Sequence, residues 1–306
     1  MASPSDRTSP ARRVLVTGMG GFTGHYVAAE LREAGYEVVG LSQATGAEDA
    51  TMHAVDLCDR DALGAFMAGQ HFDAVVHLAA ISFVAHGDAD AIYRVNIVGT
   101  RNLLEALDSS AVRPRIVVLA SSANIYGNAA VEPITEATPP APANDYAVSK
   151  LAMEYMAALW SDRLPITITR PFNYTGVGQG KQFLIPKIVD HYRRRETEIE
   201  LGNTDVVRDF LDVRDVATLY RRIVEHAPAG QTINLCSGRG HSLQEVIDMA
   251  GGLVGYRISV KVNSSFVRAN EVKRLVGSPF SLAGIASGFS PRPLLETLEW
   301  MLGRPH

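Results

Sequence analysis

A run of glycines between an apolar strand and a helix constrains this chain more than any other stretch. Val14-Leu15-Val16-Thr17 reads as a short buried strand, and it runs directly into Gly18-Met19-Gly20-Gly21-Phe22-Thr23-Gly24. A helix is expected over about residues 22–34, ended by Gly35, with a second strand over 36–41. The spacing Gly18-x-x-Gly21-x-x-Gly24 lets the backbone turn tightly and approach a phosphate at the helix N-terminus, where unpaired N–H groups favour an anion. Inside a βαβ unit such a triplet predicts a dinucleotide site. Gly18, Gly21, Phe22, Thr23 and Gly24 are its candidate contacts.

Strands expected at 52–55, 73–80 and 115–120 alternate with helices at 59–67, 91–107 and 146–160. Alternation sustained this far argues for an α/β chain with a doubly wound parallel sheet. Open sheets of this kind bind ligands outside the carboxyl ends of their strands. That singles out Ser42, Asp56, Leu57, Leu78, Ala79, Ala80, Ser122 and Pro171 as lining residues. Asp56 stands either near an adenine or as a cap for helix 59–67. His77 lies mid-strand among apolar residues and reads as packed and hydrogen-bonded, and Asn96 reads as a polar bridge within its helix. A carboxylate after the second strand usually holds the ribose 2′-OH of NAD. Leu41-Ser42-Gln43 has none, and the next acid is Glu48, so NADP is favoured while NAD stays possible; no arginine lies nearby in the chain to hold a 2′-phosphate.

Asn144-Asp145-Tyr146-Ala147-Val148-Ser149-Lys150 opens the helix expected at 146–160, with Asn144 or Asp145 as its cap. Tyr146 and Lys150 are four residues apart and share a helix face. An ammonium there favours a phenolate and lowers a Tyr pKa, which makes Tyr146 a candidate proton donor or acceptor. A strand at 166–170 leads into Pro171-Phe172-Asn173, after which the pattern changes. Gly176, Gly178 and Gly180 break the chain, and a basic helix at 186–195 follows, whose Arg193-Arg194-Arg195 reads as a solvated end. Next come a strand at 199–201, the charge-rich segment 208–216, a strand at 232–236, a helix at 243–253 and a last amphipathic helix holding Trp300. The expected division is a disordered tail at 1–11, a dinucleotide domain at 12–173 plus about 211–238, and a smaller mixed α/β substrate domain at 174–210 plus 239–306.

Composition excludes several alternatives. The net charge is −4 and the pI about 6.1, which gives no bulk electrostatic reason for nucleic-acid binding. Cys58 and Cys236 are far apart and fit neither a disulfide framework nor a zinc site, so both are expected to be small buried hydrophobes and no metal is expected. No apolar run reaches the ~18 residues of a membrane helix, and residues 1–10 lack the apolar core of a signal peptide. A cytoplasmic protein without a membrane partner is expected.

Taken together, the motifs resemble the extended short-chain dehydrogenase/reductase family in its nucleotide-sugar branch. Gly18-x-x-Gly21-x-x-Gly24, His77-Leu78-Ala79-Ala80, Ser121-Ser122, Tyr146-x-x-x-Lys150 and Arg170-Pro171-Phe172-Asn173 match in order and spacing, over nearly the whole chain from Arg12. The resemblance implies a Rossmann-like fold and a catalytic set of Ser122, Tyr146 and Lys150. Tyr146 would exchange the proton of a sugar hydroxyl or keto group while a nicotinamide exchanges hydride at the same carbon. Lys150 would lower the Tyr146 pKa and bind the nicotinamide ribose, and Ser122 would hold the keto oxygen. A homodimer through a four-helix bundle, built from the helices near 91–107 and 146–160, is also implied.

The second half is most similar to GDP-6-deoxy-4-keto-mannose reductases. The likeness rests on Arg208-Asp209-Phe210-Leu211-Asp212-Val213-Arg214-Asp215-Val216, Asn234-Leu235-Cys236-Ser237-Gly238 and Arg268-x-x-Glu271-Val272, with Ala269 in place of the usual Pro. It implies that Arg208 or Arg268 meets the diphosphate of a sugar nucleotide, as does Asn173, and that Glu271 meets the ribose or base. Ser82, Ser122, Asn124 and Lys187 complete the expected substrate set. Related dehydratases carry an acid at the position of Asn124, and GDP-fucose synthases a Cys there and a His shortly after the Asn-containing strand; this chain has neither. The resemblance therefore implies NADPH-dependent reduction at C4 of a GDP-linked 4-keto-6-deoxy hexose or heptose, serving surface polysaccharide synthesis. The alternatives are a nucleotide-sugar 4-epimerase with bound NAD and a non-catalytic NADP-binding regulator.

Overall fold

The computed structural model describes residues 12–43, 49–82, 87–267 and 270–303. Strand β1 (Arg13–Thr17) runs into α1 (Phe22–Glu33), then β2 (Glu37–Ser42), β3 (Met52–Ala54), α2 (Arg60–Met67) and β4 (Ala74–His77). Next, α3 (Ala89–Tyr93) passes through a π turn (Arg94–Gly99) into α4 (Thr100–Asp108), followed by β5 (Ile116–Ala120), α5 (Asp145–Ala158) and β6 (Ile166–Pro171). The remaining elements are β7 (Asn173–Thr175), α6 (Leu184–Arg193), β8 (Glu198–Leu201), β9 (Val207–Asp212), α7 (Val213–His226), β10 (Thr232–Leu235), β11 (Gly240–Ser242), α8 (Leu243–Val254), β12 (Ser259–Val262), β13 (Arg274–Leu275) and α9 (Leu294–Gly303).

Seven strands form one parallel sheet in the order β10-β6-β5-β4-β1-β2-β3. This is the doubly wound, Rossmann-like arrangement, and its strand order reverses between β1 and β4. Successive strand residues point to opposite faces, and both faces are covered. Val14, Val16, Val76 and Val118 pack against Val27 and Leu31 of α1 and Val216 and Ile223 of α7. Leu15, Val75, Val117 and Leu119 pack against Leu63 of α2, Leu103 and Leu107 of α4 and Met153 of α5. A separate apolar cluster joins Ile185 and Ile188 of α6, Phe210 of β9, Val246 and Ile247 of α8 and Leu298 of α9. There β9 lies between β11 and β13 and also pairs with β7.

One local expectation is corrected, one open alternative is decided and one segment gains its partners. The helix expected at 91–107 is interrupted by the π turn. Within that turn Asn96 is 1 % exposed and bridges Ile81 and Ser149, and a Cβ on Gly99 would stand 3.2 Å from Leu57 Cβ. Asp59 rather than Asp56 caps α2, accepting from Ala62 N at 3.0 Å, while Asp56 accepts from Cys58 N. The charge-rich segment 208–216 is largely buried, because Asp209 and Asp212 are consumed internally. Asp209 takes the backbone N–H groups of Ser237, Gly238 and Gly277, and Asp212 caps α7 and accepts from Thr297 Oγ1. Of the cysteines, Cys236 is buried and Cys58 only half-buried. Among the described residues no cluster suited to a metal ion occurs, and no helix is long and apolar enough to cross a membrane.

Candidate active site

The carboxyl ends of β1, β4, β5 and β6 open onto a cleft of about 300 Å³. Gly18, Gly21, Phe22, Thr23 and Gly24 form one wall, with Leu78, Ala79, Ala80 and Ser82 beside them. Ser122, Asn124, Tyr146, Lys150, Pro171 and Asn173 line the remainder. A second hollow of about 180 Å³ shares Gly18, Ala79 and Ala80 with the first and is lined by Ser42, Gln43, Asp56 and Leu57. Every residue expected to meet the cofactor thus lines one of two adjoining cavities.

The walls suit an extended phosphate-bearing ligand. Gly18 has φ +71°, and a Cβ there would lie 2.8 Å from the Ala79 backbone. A Cβ on Gly24 would come within 2.2 Å of the Gly18 carbonyl oxygen. These contacts require glycine and leave the N-terminus of α1 uncovered by side chains. On the cleft floor, the hydroxyl of Ser121 is buried without a hydrogen-bond partner among the described residues. Leaving such a group unpaired costs about 1–3 kcal/mol, which is recovered when a polar ligand atom reaches it. The cradle and the orphan hydroxyl fit a dinucleotide.

Helix α5 places the central pair. Asn144 caps it, its Oδ1 accepting from Ala147 N at 2.9 Å, and Asp145 instead accepts from Tyr93 OH on α3. Tyr146 and Lys150 are buried on the face of α5 turned to the cleft. The π turn braces them: Asn96 Nδ2 donates to Ser149 Oγ at 3.0 Å, and Ser149 Oγ donates to the Tyr146 carbonyl. Lys150 Nζ donates to the Ala120 carbonyl at 2.7 Å, and burial pulls its pKa down to about 8, opposed by Glu154.

Burial also corrects the expected behaviour of Tyr146. Desolvation pushes its phenol well above the ordinary value, a hydrogen bond with Ser122 acts downward, and nearby Tyr174 acts upward. In the polypeptide alone Tyr146 is therefore a protonated donor at neutral pH, and the Lys150 ammonium is directed at a carbonyl. Ser122 opens a short 3₁₀ turn, its Oγ accepting from Asn124 N at 3.2 Å and from Asn124 Nδ2 at 3.1 Å.

His77 is structural, as expected. Its Nδ1 lies 2.7 Å from Thr17 Oγ1 and its Nε2 2.8 Å from Thr100 Oγ1. Thr100 spends its hydroxyl hydrogen on the Asn96 carbonyl, so it accepts from Nε2–H, and Nδ1 accepts from Thr17. Burial, reinforced by Lys150, lowers the His77 pKa to about 3.

Several expected substrate residues lie away from the cleft. Arg208 and Glu271 meet each other at 2.6 Å, and Arg208 also donates to the Val207 and Lys273 carbonyls. Lys187 donates to the Glu200 carbonyl and lies 4.6 Å over the Phe266 ring. Arg268 falls outside the described residues. Conversely, Tyr174, Gln179, Phe183, Tyr220 and Leu275 line the cleft without having been singled out. Tyr174 OH pairs with Thr23 Oγ1 at 2.7 Å and its ring stacks on Phe22. Its position directly after Asn173 was the available signal; Tyr220 had none, since nothing local places α7 beneath the cleft.

Fold and cleft together are those of a dinucleotide-dependent enzyme, with Ser122, Tyr146 and Lys150 lining the cleft. The NAD dependent epimerase/dehydratase family model matches residues 14–236, and the chain belongs to that family, the extended short-chain dehydrogenase/reductases. A GDP-6-deoxy-D-talose 4-dehydrogenase of Aggregatibacter actinomycetemcomitans is 34% identical over 293 residues, covering 94% of this chain and 96% of its own. A GDP-6-deoxy-D-mannose reductase of Pseudomonas aeruginosa is 33% identical over 278 residues, covering 87% and 88%. Among solved structures, a proposed epimerase from Burkholderia cenocepacia J2315 shares 52% identity at TM-score 0.89, covering 96% of this chain and 97% of that one. RMD from Pseudomonas aeruginosa complexed with NADPH shares 32% at TM-score 0.83, covering 95% and 98%.

Proposed function

We propose that this enzyme interconverts the C4 ketone and C4 hydroxyl of a GDP-linked 6-deoxy sugar, acting as a 4-reductase with NADPH favoured and NADH possible. One observation carries the reading: among the described residues, the cleft is lined by no Asp, Glu, His or Cys. Its ionisable groups are Lys150 and the tyrosines, and beside Ser122 stands the amide of Asn124. Dehydration, or epimerisation next to the ketone, requires a base for a carbon-bound proton. Reduction at C4 requires only a proton donor at the ketone oxygen.

The glycine turn, Ser42, Asp56 and Ala79 would hold the dinucleotide, which when bound supplies hydride to the ketone carbon. Tyr146 O–H donates its proton to the ketone oxygen, and Ser122 O–H donates to the same oxygen and stabilises its developing charge. Lys150, protonated below about pH 8, keeps a positive charge one helical turn along α5 from Tyr146. The GDP-sugar class is supported by both curated relatives named above; they differ in C4 configuration and share a single 4-ketone. Asn173 and Ser82 stand in the cleft where the sugar nucleotide would enter, and Arg208, Glu271, Lys187 and Arg268 are proposed for its distal part. Two copies are proposed to pair through α5, along which Val148 and Tyr155, with Leu159 just after its end, are exposed.

The test is incubation of purified protein with NADPH and either GDP-4-keto-6-deoxymannose or its heptose counterpart. Loss of absorbance at 340 nm and a C4 hydroxyl in the product are expected. Failure to reduce either compound refutes the substrate assignment. Tyr146→Phe is expected to lower turnover by orders of magnitude with NADPH binding retained. A 4-epimerase is the second reading, favoured by the description of the Burkholderia structure and by a cleft that suits either chemistry. Copurification of tightly bound NAD and turnover of an unoxidised UDP- or GDP-sugar without added cofactor would select it.

A further inference from the structure

We propose that Tyr174 is a positioning residue for the cofactor, donating to Thr23 Oγ1 so that the Thr23 hydroxyl hydrogen is left for a phosphate oxygen of the dinucleotide. This deepens the cofactor site and rests on the assignment of a dinucleotide to the cleft. Thr23 is the second residue of α1, whose first backbone N–H groups have no partner inside the helix and favour an anion. A threonine within a helix ordinarily spends its hydroxyl hydrogen on the carbonyl one turn back. Thr100 does so on Asn96, and Thr218 on Arg214. Thr23 has no preceding helical turn, and among the described residues its hydroxyl meets only Tyr174 OH, at 2.7 Å.

Two hydroxyls hold two hydrogens, and the bond between them uses one. The other has no acceptor among the described residues, and both side chains line the cleft. Acidity sets the direction of the shared bond, a phenol being the better donor and an alkyl hydroxyl the better acceptor. Burial raises the Tyr174 pKa, so the phenol keeps its hydrogen at neutral pH. Tyr174 therefore donates, and the hydrogen left over is that of Thr23, on the turn where the diphosphate is expected. A hydroxyl that is itself accepting a hydrogen bond is polarised and donates more strongly.

The phenol is fixed from several sides. Its ring lies within 10° of parallel to that of Phe22, the residue before Thr23, with centroids 6.2 Å apart. The Tyr174 carbonyl accepts from Gln179 Nε2 at 3.2 Å, and β7 pairs Tyr174 with Leu211 of β9. One turn further along α1, Tyr26 OH donates to the Val177 carbonyl at 2.8 Å. The start of α1 is thus tied twice to the segment that follows β6. Phenylalanine at 174 keeps the stacked ring and removes only the hydroxyl; valine at 23 keeps the shape and does the same. Neither changes a charge.

The experiment reads cofactor binding and needs no sugar. NADPH affinity is measured by fluorescence titration of the full-length protein. Competition against NADPH gives the affinity of 2′-phospho-ADP-ribose, which keeps the diphosphate and lacks the nicotinamide. Thr23→Val is expected to weaken both ligands about 10-fold, the scale of one hydrogen bond to a charged group. Tyr174→Phe is expected to weaken both about 3-fold, since Thr23 keeps its own hydrogen but loses the donor that orients and polarises it. Thr23→Ser, which keeps the hydroxyl, is expected to stay within about 3-fold of wild type. The double variant is expected to bind no more weakly than Thr23→Val alone, because Tyr174 acts through Thr23. Losses that multiply in the double variant overturn the proposal, as does a Tyr174→Phe protein that binds both ligands like wild type. Weakened NADPH binding with 2′-phospho-ADP-ribose unaffected overturns it too, by placing the free hydrogen on the nicotinamide half. Should Thr23→Val not fold, Thr23→Ala takes its place in the cycle. A protein that reduces no 4-keto sugar nucleotide refutes the functional reading, and these affinities still decide the role of Tyr174.

Discussion

Protonation of the buried His77 is expected to destabilise this fold. The ring bridges β1 to α4 with both nitrogens committed, Nδ1 accepting from Thr17 and Nε2–H donating to Thr100. Its pKa falls from 6.5 to about 3, chiefly through burial and secondly through the Lys150 cation. Between these values the unfolded chain binds one proton that the folded chain refuses, so stability is full above pH 6.5 and is lost as pH falls toward 3. One proton is worth about 1.4 kcal/mol per pH unit. Integrated from pH 7 to pH 5, with the transition starting near 6.5, the loss is about 2 kcal/mol from this residue. Urea denaturation followed by far-UV circular dichroism at pH 7, 6 and 5 measures it. The non-titrating variant His77→Gln is expected to be less stable at pH 7, since it opens the Thr17–Thr100 bridge. It is also expected to lose less stability on acidification, by about 2 kcal/mol between pH 7 and 5. Equal pH slopes for the two proteins would refute the assignment of a neutral, buried His77.

Two further substitutions probe the cofactor cradle. Gly24→Ala places a Cβ 2.2 Å from the Gly18 carbonyl oxygen and 2.6 Å from Met19 Cα, contacts only backbone displacement relieves. NADPH binding followed by fluorescence titration is expected to weaken at least a hundredfold, and binding within threefold of wild type would contradict the close approach. Ser121→Ala removes a buried hydroxyl without a partner, so the melting temperature of the cofactor-free protein is expected to hold or rise. The same variant is expected to bind NADPH about 2–10-fold more weakly, the scale of one neutral hydrogen bond. A fall in cofactor-free stability with unchanged affinity would make Ser121 purely structural.

Much of the site was legible because its signals are local. The glycine turn encodes a backbone shape, and α1 begins at Phe22 as the spacing predicts. Tyr146 and Lys150 share a face because four residues make about one helical turn. The strand ends carry Ser42, Leu57, Ala79 and Ser122 to the cavities because a parallel sheet brings all carboxyl ends to one edge. Legibility stopped where partners are distant in the chain. Nothing within the charge-rich stretch 208–216 names its partners, yet Asp209 is held by Ser237, Gly238 and Gly277. The helix at 91–107 reads as regular, and the π turn at Asn96 is set by Ile81 and Ser149.

The amino-acid order by itself determined the parallel α/β sheet, the glycine turn and the shared helix face of Tyr146 and Lys150. These follow from periodicity, turn chemistry and the side-chain direction each element imposes. Only the tertiary structure decided how those groups are charged and aimed. It buried Tyr146 so that the phenol is harder to ionise, turned the Lys150 ammonium to the Ala120 carbonyl, and locked Arg208 onto Glu271. It filled both acceptor positions of Ser122 from Asn124 and left the Ser121 hydroxyl for a ligand. Desolvation and the allocation of hydrogen-bond donors depend on which distant segments cover a side chain, and residue spacing carries no record of that.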